Sequence, residues 1–376
     1  MDELKTYRDQ IDEIDRKITE LYVQRMDVCE NIADYKIRNG KKVFDKERER
    51  SKIEAMTALA EKERDKFGVA ELFRLIMSTS RKMQYHMLAK SGAAGRLPFI
   101  AVDEIEKENI RVVFQGTEGA YSQAAMIEFF GRDVNSFHVD GFRDAMEAIA
   151  EGAADYAVLP IENSSAGIVG DNFDLLVDFE NYIVAEQVVK CEHVLMGPPE
   201  AELKDIRKVL SHPQALAQCG PYLEDHPDWE QVACANTALA AQQVAAEKDP
   251  SMAALGSAFA AEKFGLKVLA EKVYYDEGNS TRFIIVTNQR IFRRDARKIS
   301  ICFELPHRSG ALYSILSNFI YNNVNMTRIE SRPILGRSWE YRFFIDFDGN
   351  LNNSSVKNAL RGIREEAISM KILGNY

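Results

Sequence analysis

The 376-residue chain has few cysteines and histidines, and neither set is arranged for chemistry. Its five cysteines, Cys29, Cys191, Cys219, Cys234 and Cys302, show no paired spacing, so reduced thiols are expected rather than a disulfide framework. The six histidines lack zinc-ligand spacing, and no metal or other cofactor is expected. Basic residues are outnumbered 48 to 58, and a net charge of −10 argues against non-specific nucleic-acid binding. No apolar run is long enough to span a membrane, and the chain opens directly into an amphipathic segment rather than a signal peptide, so a soluble cytoplasmic protein is expected. Gly116 and Gly119 lack the spacing of a dinucleotide fingerprint or a P-loop, and there is no internal repeat or low-complexity tract. What the chain does have is length for two or three domains and 46% hydrophobic residues to fill their cores.

The first segment keeps an apolar spacing of three and four: Leu4, Tyr7, Ile11, Ile14, Ile18, Leu21, Val28, Ile32 and Tyr35. That seam predicts one long helix packed against other helices. Arg25 occupies a seam position, where a cation is costly unless an anion meets it, whether a structural carboxylate or a ligand. Lys36, eleven positions on, projects from nearly the same face. Arg8 is rotated by roughly a quarter turn and lies ~25 Å from Arg25 along the axis. If one small ligand takes all three cations, Arg8 comes from a second subunit, which predicts a homo-oligomer of at least two chains.

Asp45 precedes a charged run, Lys46 to Arg50, that opens a second helix; it reads either as an N-cap or as a ligand group. Arg48 and Glu49 follow it. A third helix is predicted over about Val69 to Lys90, with Ser80 and Gln84 intruding on its apolar stripe. A single buried polar group is ordinary. Several within ninety residues point to a helical bundle with a charged, solvent-excluded pocket.

Arg8, Arg25, Lys36, Asp45, Arg48, Glu49, Ser80 and Gln84 together resemble the active-site pattern of the all-helical chorismate mutases, an intertwined dimer family. The resemblance implies rearrangement of chorismate, a dicarboxylate, by a pericyclic step that needs no nucleophile or metal. It assigns Arg8 and Arg25 to the carboxylates, and Lys36 and Gln84 to the ether oxygen. Asp45 and Glu49 would contact the ring hydroxyl or order the cations, with Arg48 and Ser80 in support.

Helical periodicity stops near Lys90, and 91–109 reads as a linker. From Ile110 to about Asn288, strand-like runs (Arg111–Gln115, Tyr156–Pro160, Arg207–Leu210, Met252–Leu255, Arg282–Thr287) alternate with helical ones. That predicts an α/β domain with a mostly parallel sheet, long enough for two lobes and a cleft. From 296 to 376 the order βαββαβ predicts a ferredoxin-like α+β domain.

Several turns of the middle domain carry small polar residues: Gly116–Ser122, Ile161–Ser165, Ser211–Gln214, Asn236–Thr237 and Gly256–Ser257. Turns after parallel strands share one sheet edge, where ligands bind, and helix N-termini there attract carboxylates. Thr281-Arg282-Phe283 together with Ile161-Glu162-Asn163-Ser164, Ser211-His212-Pro213-Gln214 and Ala254-Leu255-Gly256-Ser257 resembles prephenate dehydratase, whose fold is two-lobed and periplasmic-binding-protein-like. Thr117-Glu118 departs from the family's usual turn. The resemblance implies loss of water and carbon dioxide from prephenate to give phenylpyruvate. Thr281 would be the essential residue, Arg282 the carboxylate partner, and Glu162 or His212 the proton source. Asn163, Ser164, Ser211 and Gln214 would line the cleft and Phe283 pack the ring.

Ser309-Gly310-Ala311-Leu312 and the stretch Asn325 to Pro333, with Glu330, Ser331 and Arg332, resemble the ACT regulatory domain. The resemblance implies L-phenylalanine as an allosteric inhibitor held between paired domains. As a whole the chain resembles the bifunctional chorismate mutase–prephenate dehydratases. A phenylalanine-binding regulatory protein, or an enzyme retaining one of the two activities, is the alternative.

Overall fold

The N-terminal seam folds as one helix, Glu3–Arg38. The computed structural model describes residues 3–91, 97–276 and 278–376, with the backbone alone for Ala89 and Lys90. Gly92–Arg96 of the expected linker therefore lie outside the described residues. The chain divides into two compact units, Met1–Leu97 with Phe303–Met370, and Pro98–Cys302 with Lys371–Tyr376.

In the first unit, the long helix is followed by helices Lys46–Thr57 and Glu63–Lys90. Asp45 Oδ1 accepts the Arg48 backbone N–H at 3.0 Å and so caps the second helix, the structural half of the reading given to it. The seam does not find cover within one chain. Ile11, Ile14 and Ile18 are 55%, 54% and 52% exposed, and burial begins only at Cys29 and Ala33. The remainder of this unit supplies helix Ala311–Tyr321, the antiparallel strands Met326–Pro333 and Tyr341–Asp348, and helix Ser354–Glu366. The Ser354–Glu366 helix packs on Glu63–Lys90. With strands Lys298–Glu304 and Ser369–Asn375, through which the division between units runs, the C-terminal order is the βαββαβ expected.

The second unit has two lobes. One sheet runs, in order, Asn135–Val139, Arg111–Gln115, Tyr156–Asn163, Ser280–Thr287, Tyr182–Lys190. The other runs Lys267–Ala270, His193–Gly197, Met252–Ser257, Lys208–Ser211, Glu230–Ala233. The chain crosses between lobes at 191–192 and returns between Ala270 and Ser280. The expected mostly parallel sheet is corrected by that return. Ser280–Thr287 inserts antiparallel to both Tyr156–Asn163 and Tyr182–Lys190, and His193–Gly197 is antiparallel to its two neighbours. Each sheet is thus half parallel and half antiparallel. Each lobe has its own apolar core, one around Phe114, Met126, Val158 and Ile285, the other around Leu195, Val209, Ala253 and Leu255. Within 91–109, Ile100–Val102 is not linker but a strand, paired parallel with Ile291–Arg293. No helix among the described residues is long and apolar enough to cross a membrane.

Candidate active sites

In the helical region, Arg25 meets hydroxyl and sulfur rather than a carboxylate. Its guanidinium donates to Ser80 Oγ at 2.6 Å, with Met77 Sδ at 3.3 Å and Cys29 Sγ at 3.6 Å. Ser80 is buried and also donates to the Ile76 carbonyl, so the two sequence-marked residues are brought together across helices. Lys36 donates to the Val43 carbonyl at 2.6 Å, closing the connection between the first two helices. Its charge reaches Glu49, whose carboxyl is raised chiefly by burial, against the lowering effect of Arg81 and Lys36. Gln84 Oε1 is buried with no hydrogen-bond partner among the described residues, a costly state unless a ligand donates to it. Arg48 is exposed, and Arg8 sits on the exposed N-terminal turns, so a single chain does not bring Arg8 to the others.

Arg81 escaped the sequence reading. Only 8% exposed, it donates at 2.8 Å to Glu49 Oε2 with one arm and at 2.8 Å to Glu366 Oε1 with the other, and its guanidinium lies 4.5 Å from the Phe44 ring centroid. A charged residue beside Ser80 on an otherwise apolar stripe was the available signal.

The second unit encloses a cavity of about 360 Å³ between its lobes. Asn163 and Thr281 face each other on its wall because their strands pair at that register. Asn163 Oδ1 accepts the N–H groups of Ser165 (3.1 Å) and Ala166 (2.8 Å), which fixes the amide orientation. Its Nδ2 then donates to Asn279 Oδ1 and to Thr281 Oγ1, both at 2.9 Å. With one lone pair engaged, the Thr281 hydroxyl keeps its own proton to donate; Cys191 Sγ lies 3.1 Å away.

Strand alternation puts Thr281 and Phe283 on the cavity side and turns Arg282 to the other face. Arg282 instead bridges Glu162 (3.0 Å) and Glu186 (3.1 Å). Neither Arg282 nor Glu162, expected as carboxylate partner and proton source, is among the residues that line the cavity. Ser211 is fully buried and donates to the Leu255 carbonyl at 2.7 Å, tying adjacent strands. Ser164 accepts from the Ser280 N–H and donates to the Gly278 carbonyl, holding the turn before Thr281 instead of lining the cleft. His212 and Gln214 do line it. His212 Nδ1 accepts the Gln214 N–H at 3.2 Å, so the neutral ring carries its proton on Nε2.

His193, unmarked in the sequence, and Tyr121, from the Gly116–Ser122 turn, complete the wall. The Tyr121 hydroxyl sits 3.1 Å from His193 Nδ1, and His193 Nε2 sits 3.0 Å from Gln218 Oε1. Burial lowers the His193 pKa below its usual 6.5 and raises that of Tyr121. The neutral ring therefore donates to Gln218 and accepts from Tyr121.

No Lys or Arg is among the lining residues, so positive potential comes from backbone. Helices Tyr121–Phe130, Phe142–Ala150, Gly170–Asp178 and Thr237–Glu247 all present their N-terminal residues to the cavity. The first has Ala120 as N-cap with no side-chain cap, leaving first-turn N–H groups for a ligand anion. The turn leading into it needs glycine: Gly119 has φ +82°, and a Cβ there would fall 2.9 Å from the Phe264 ring.

In the C-terminal region a pocket of about 420 Å³ is lined by Leu305–Ser309, Ala311, Leu312, Trp339–Tyr341 and Phe343. Gly310, at φ +76°, is the N-cap of the helix that carries Ala311 and Leu312. Glu330, Ser331, Arg332 and Pro333 lie apart, on a sheet-edge strand whose residues alternate between half-buried and exposed.

The sequence matches the family descriptions Chorismate mutase type II over residues 7–85 and Prephenate dehydratase over residues 112–291. The bifunctional chorismate mutase/prephenate dehydratase of Escherichia coli (strain K12) is 32% identical over 379 residues, taking in 99% of this chain and 96% of that protein. A solved prephenate dehydratase from Arthrobacter aurescens, in complex with L-Phe, is 34% identical with a TM-score of 0.66, over 71% of this chain and 89% of that one. GqqA, described as a novel type of quorum quenching acylase, is 31% identical with a TM-score of 0.64, over 71% of this chain and 97% of that one.

Proposed function

Because the chain belongs to the bifunctional chorismate mutase/prephenate dehydratase family, we propose that it converts chorismate to prephenate in its helical region and prephenate to phenylpyruvate in the inter-lobe cavity, on the route to L-phenylalanine. The domains would be 1–90 (mutase), 110–288 (dehydratase) and 296–376 (ACT). The observation that carries the dehydratase reading is the Asn163–Thr281 pair on the wall of a cavity ringed by helix N-termini.

In the mutase step the substrate is held as its reactive conformer. Arg25 and, from a second subunit, Arg8 take the carboxylates, while Lys36 and the unpartnered Gln84 take the ether oxygen. The exposed Ile11–Ile14–Ile18 stripe supports the intertwined dimer that this requires.

In the dehydratase step the ring carboxylate leaves as carbon dioxide, its bonding pair enters the ring, and the ring C–O bond breaks. The departing hydroxide takes a proton and leaves as water. Thr281 donates a hydrogen bond to that oxygen, and His212, which lines the same cavity while Glu162 is engaged by Arg282, is the proton source in this reading. The substrate's carboxylates are met by helix N-termini, foremost that of Tyr121–Phe130.

L-Phenylalanine is proposed as inhibitor, its carboxylate at the Gly310 helix start and its ammonium at Glu330 of a paired ACT domain. A relative solved with L-Phe supports this. The test is purified protein fed chorismate alone: phenylpyruvate that falls on adding L-phenylalanine supports all three assignments, and its absence removes the bifunctional one.

A further inference from the structure

We propose that Arg81 is a positioning residue of the mutase site and that Glu366, 285 residues away at the end of the C-terminal helix, sets its geometry. This rests on the mutase assignment above. Arg81 spans two carboxylates at 2.8 Å each, one per arm, and all three side chains are largely buried: 10% exposed for Arg81, 22% for Glu49 and 8% for Glu366. A guanidinium held at one end by Glu366 can offer only its other arm to Glu49, in a single orientation. Released from Glu366, it is free to pair with Glu49 through both arms, pulling that carboxylate away from the ligand.

The tie is embedded in a built contact rather than a surface encounter. Around it, Lys82 donates to Ser317 Oγ at 2.7 Å, Tyr85 donates to Glu365, and Arg361 lies 5.4 Å from the Tyr85 ring centroid. Four groups of alternating sign thus meet from four helices: Lys36, Glu49, Arg81 and Glu366. Burial raises the Glu49 carboxyl, Arg81 and Lys36 lower it, and Glu366 raises it. The C-terminal carboxylate therefore acts on Glu49 both by geometry and by charge, and the mutase site is completed by a residue of the C-terminal region.

The test uses full-length protein and two activities, chorismate consumption and turnover of added prephenate. Glu366→Gln should lower mutase kcat/KM roughly tenfold and move the acid limb of its pH profile down, because Glu49 loses a repelling neighbour and gains more of Arg81. Arg81→Met should move the same limb up, because Glu49 loses its cation. Glu366→Asp should recover part of the loss. Glu365→Gln, which removes a neighbouring charge that is hydrogen-bonded to Tyr85 and not to Arg81, should move the limb far less than Glu366→Gln, and all variants should keep dehydratase kcat/KM and helical circular dichroism. Limbs displaced in the same direction, an unmoved limb, or an equal effect from Glu365→Gln would overturn the proposal. Wild-type protein that turns over prephenate but not chorismate would instead overturn the mutase assignment beneath it.

Discussion

Asn163 donates from Nδ2 to Thr281 Oγ1 at 2.9 Å while its Oδ1 is held by two backbone N–H groups, so the amide has one available orientation and Thr281 one available proton. Asn163→Asp replaces that donor with an acceptor. Dehydratase kcat should fall about a hundredfold with KM changed by about threefold or less, since the hydroxyl is misdirected rather than the substrate lost. Steady-state kinetics on added prephenate measures this, with mutase activity unchanged.

Arg282 neutralises Glu162 and Glu186 on the far face of the strand from Thr281. Arg282→Met leaves Glu162 without this cation and Glu186 with Lys298 alone, and should lower the melting temperature by roughly 3–8 °C. KM for prephenate should change little. A large KM increase with unchanged melting would restore Arg282 as a substrate contact.

The proposed mutase site takes Arg8 from a second chain, a reading that the exposed seam supports. Arg8→Ala and Lys36→Ala chains should each be inactive as mutases. Co-expressed, they should recover about a quarter of wild-type activity, because half of the dimers are mixed and each mixed dimer has one intact site of two. No recovery would place Arg8 in its own chain's site or outside any site.

Lys82 is buried against the C-terminal helices, and desolvation lowers its pKa from 10.5 to about 8. Below pH 8 it is charged in both folded and unfolded chains, and the folded state bears the full cost. Between about 8 and 10.5 the unfolded chain binds the extra proton, so this group makes stability rise with pH. Urea midpoints from pH 7 to 9.5 should rise for wild type relative to Lys82→Met; parallel curves would contradict the burial of a charged Lys82.

The helices and the C-terminal strand order were legible because apolar periodicity is local, and Arg25 stood out against it. The cavity wall was less so. Thr281 and Phe283 share a face by simple alternation, which already turns Arg282 away, yet a guanidinium beside the Thr281 hydroxyl invited the opposite assignment. Ser211 and Ser164 are polar turn residues whose bonds go to backbone, a choice that only the fold decides. His193 lies in an otherwise apolar strand, and Cys191 and His193 become wall residues only because the chain crosses between lobes there. Arg81 and Glu366 are brought together by packing between distant helices, which no local pattern encodes.

The most direct measurement is the fate of chorismate with full-length Thr281→Val. Two separate sites in one chain require that prephenate accumulate at the wild-type rate while phenylpyruvate falls to background. Persisting phenylpyruvate, or a loss of prephenate formation as well, would contradict that division of labour.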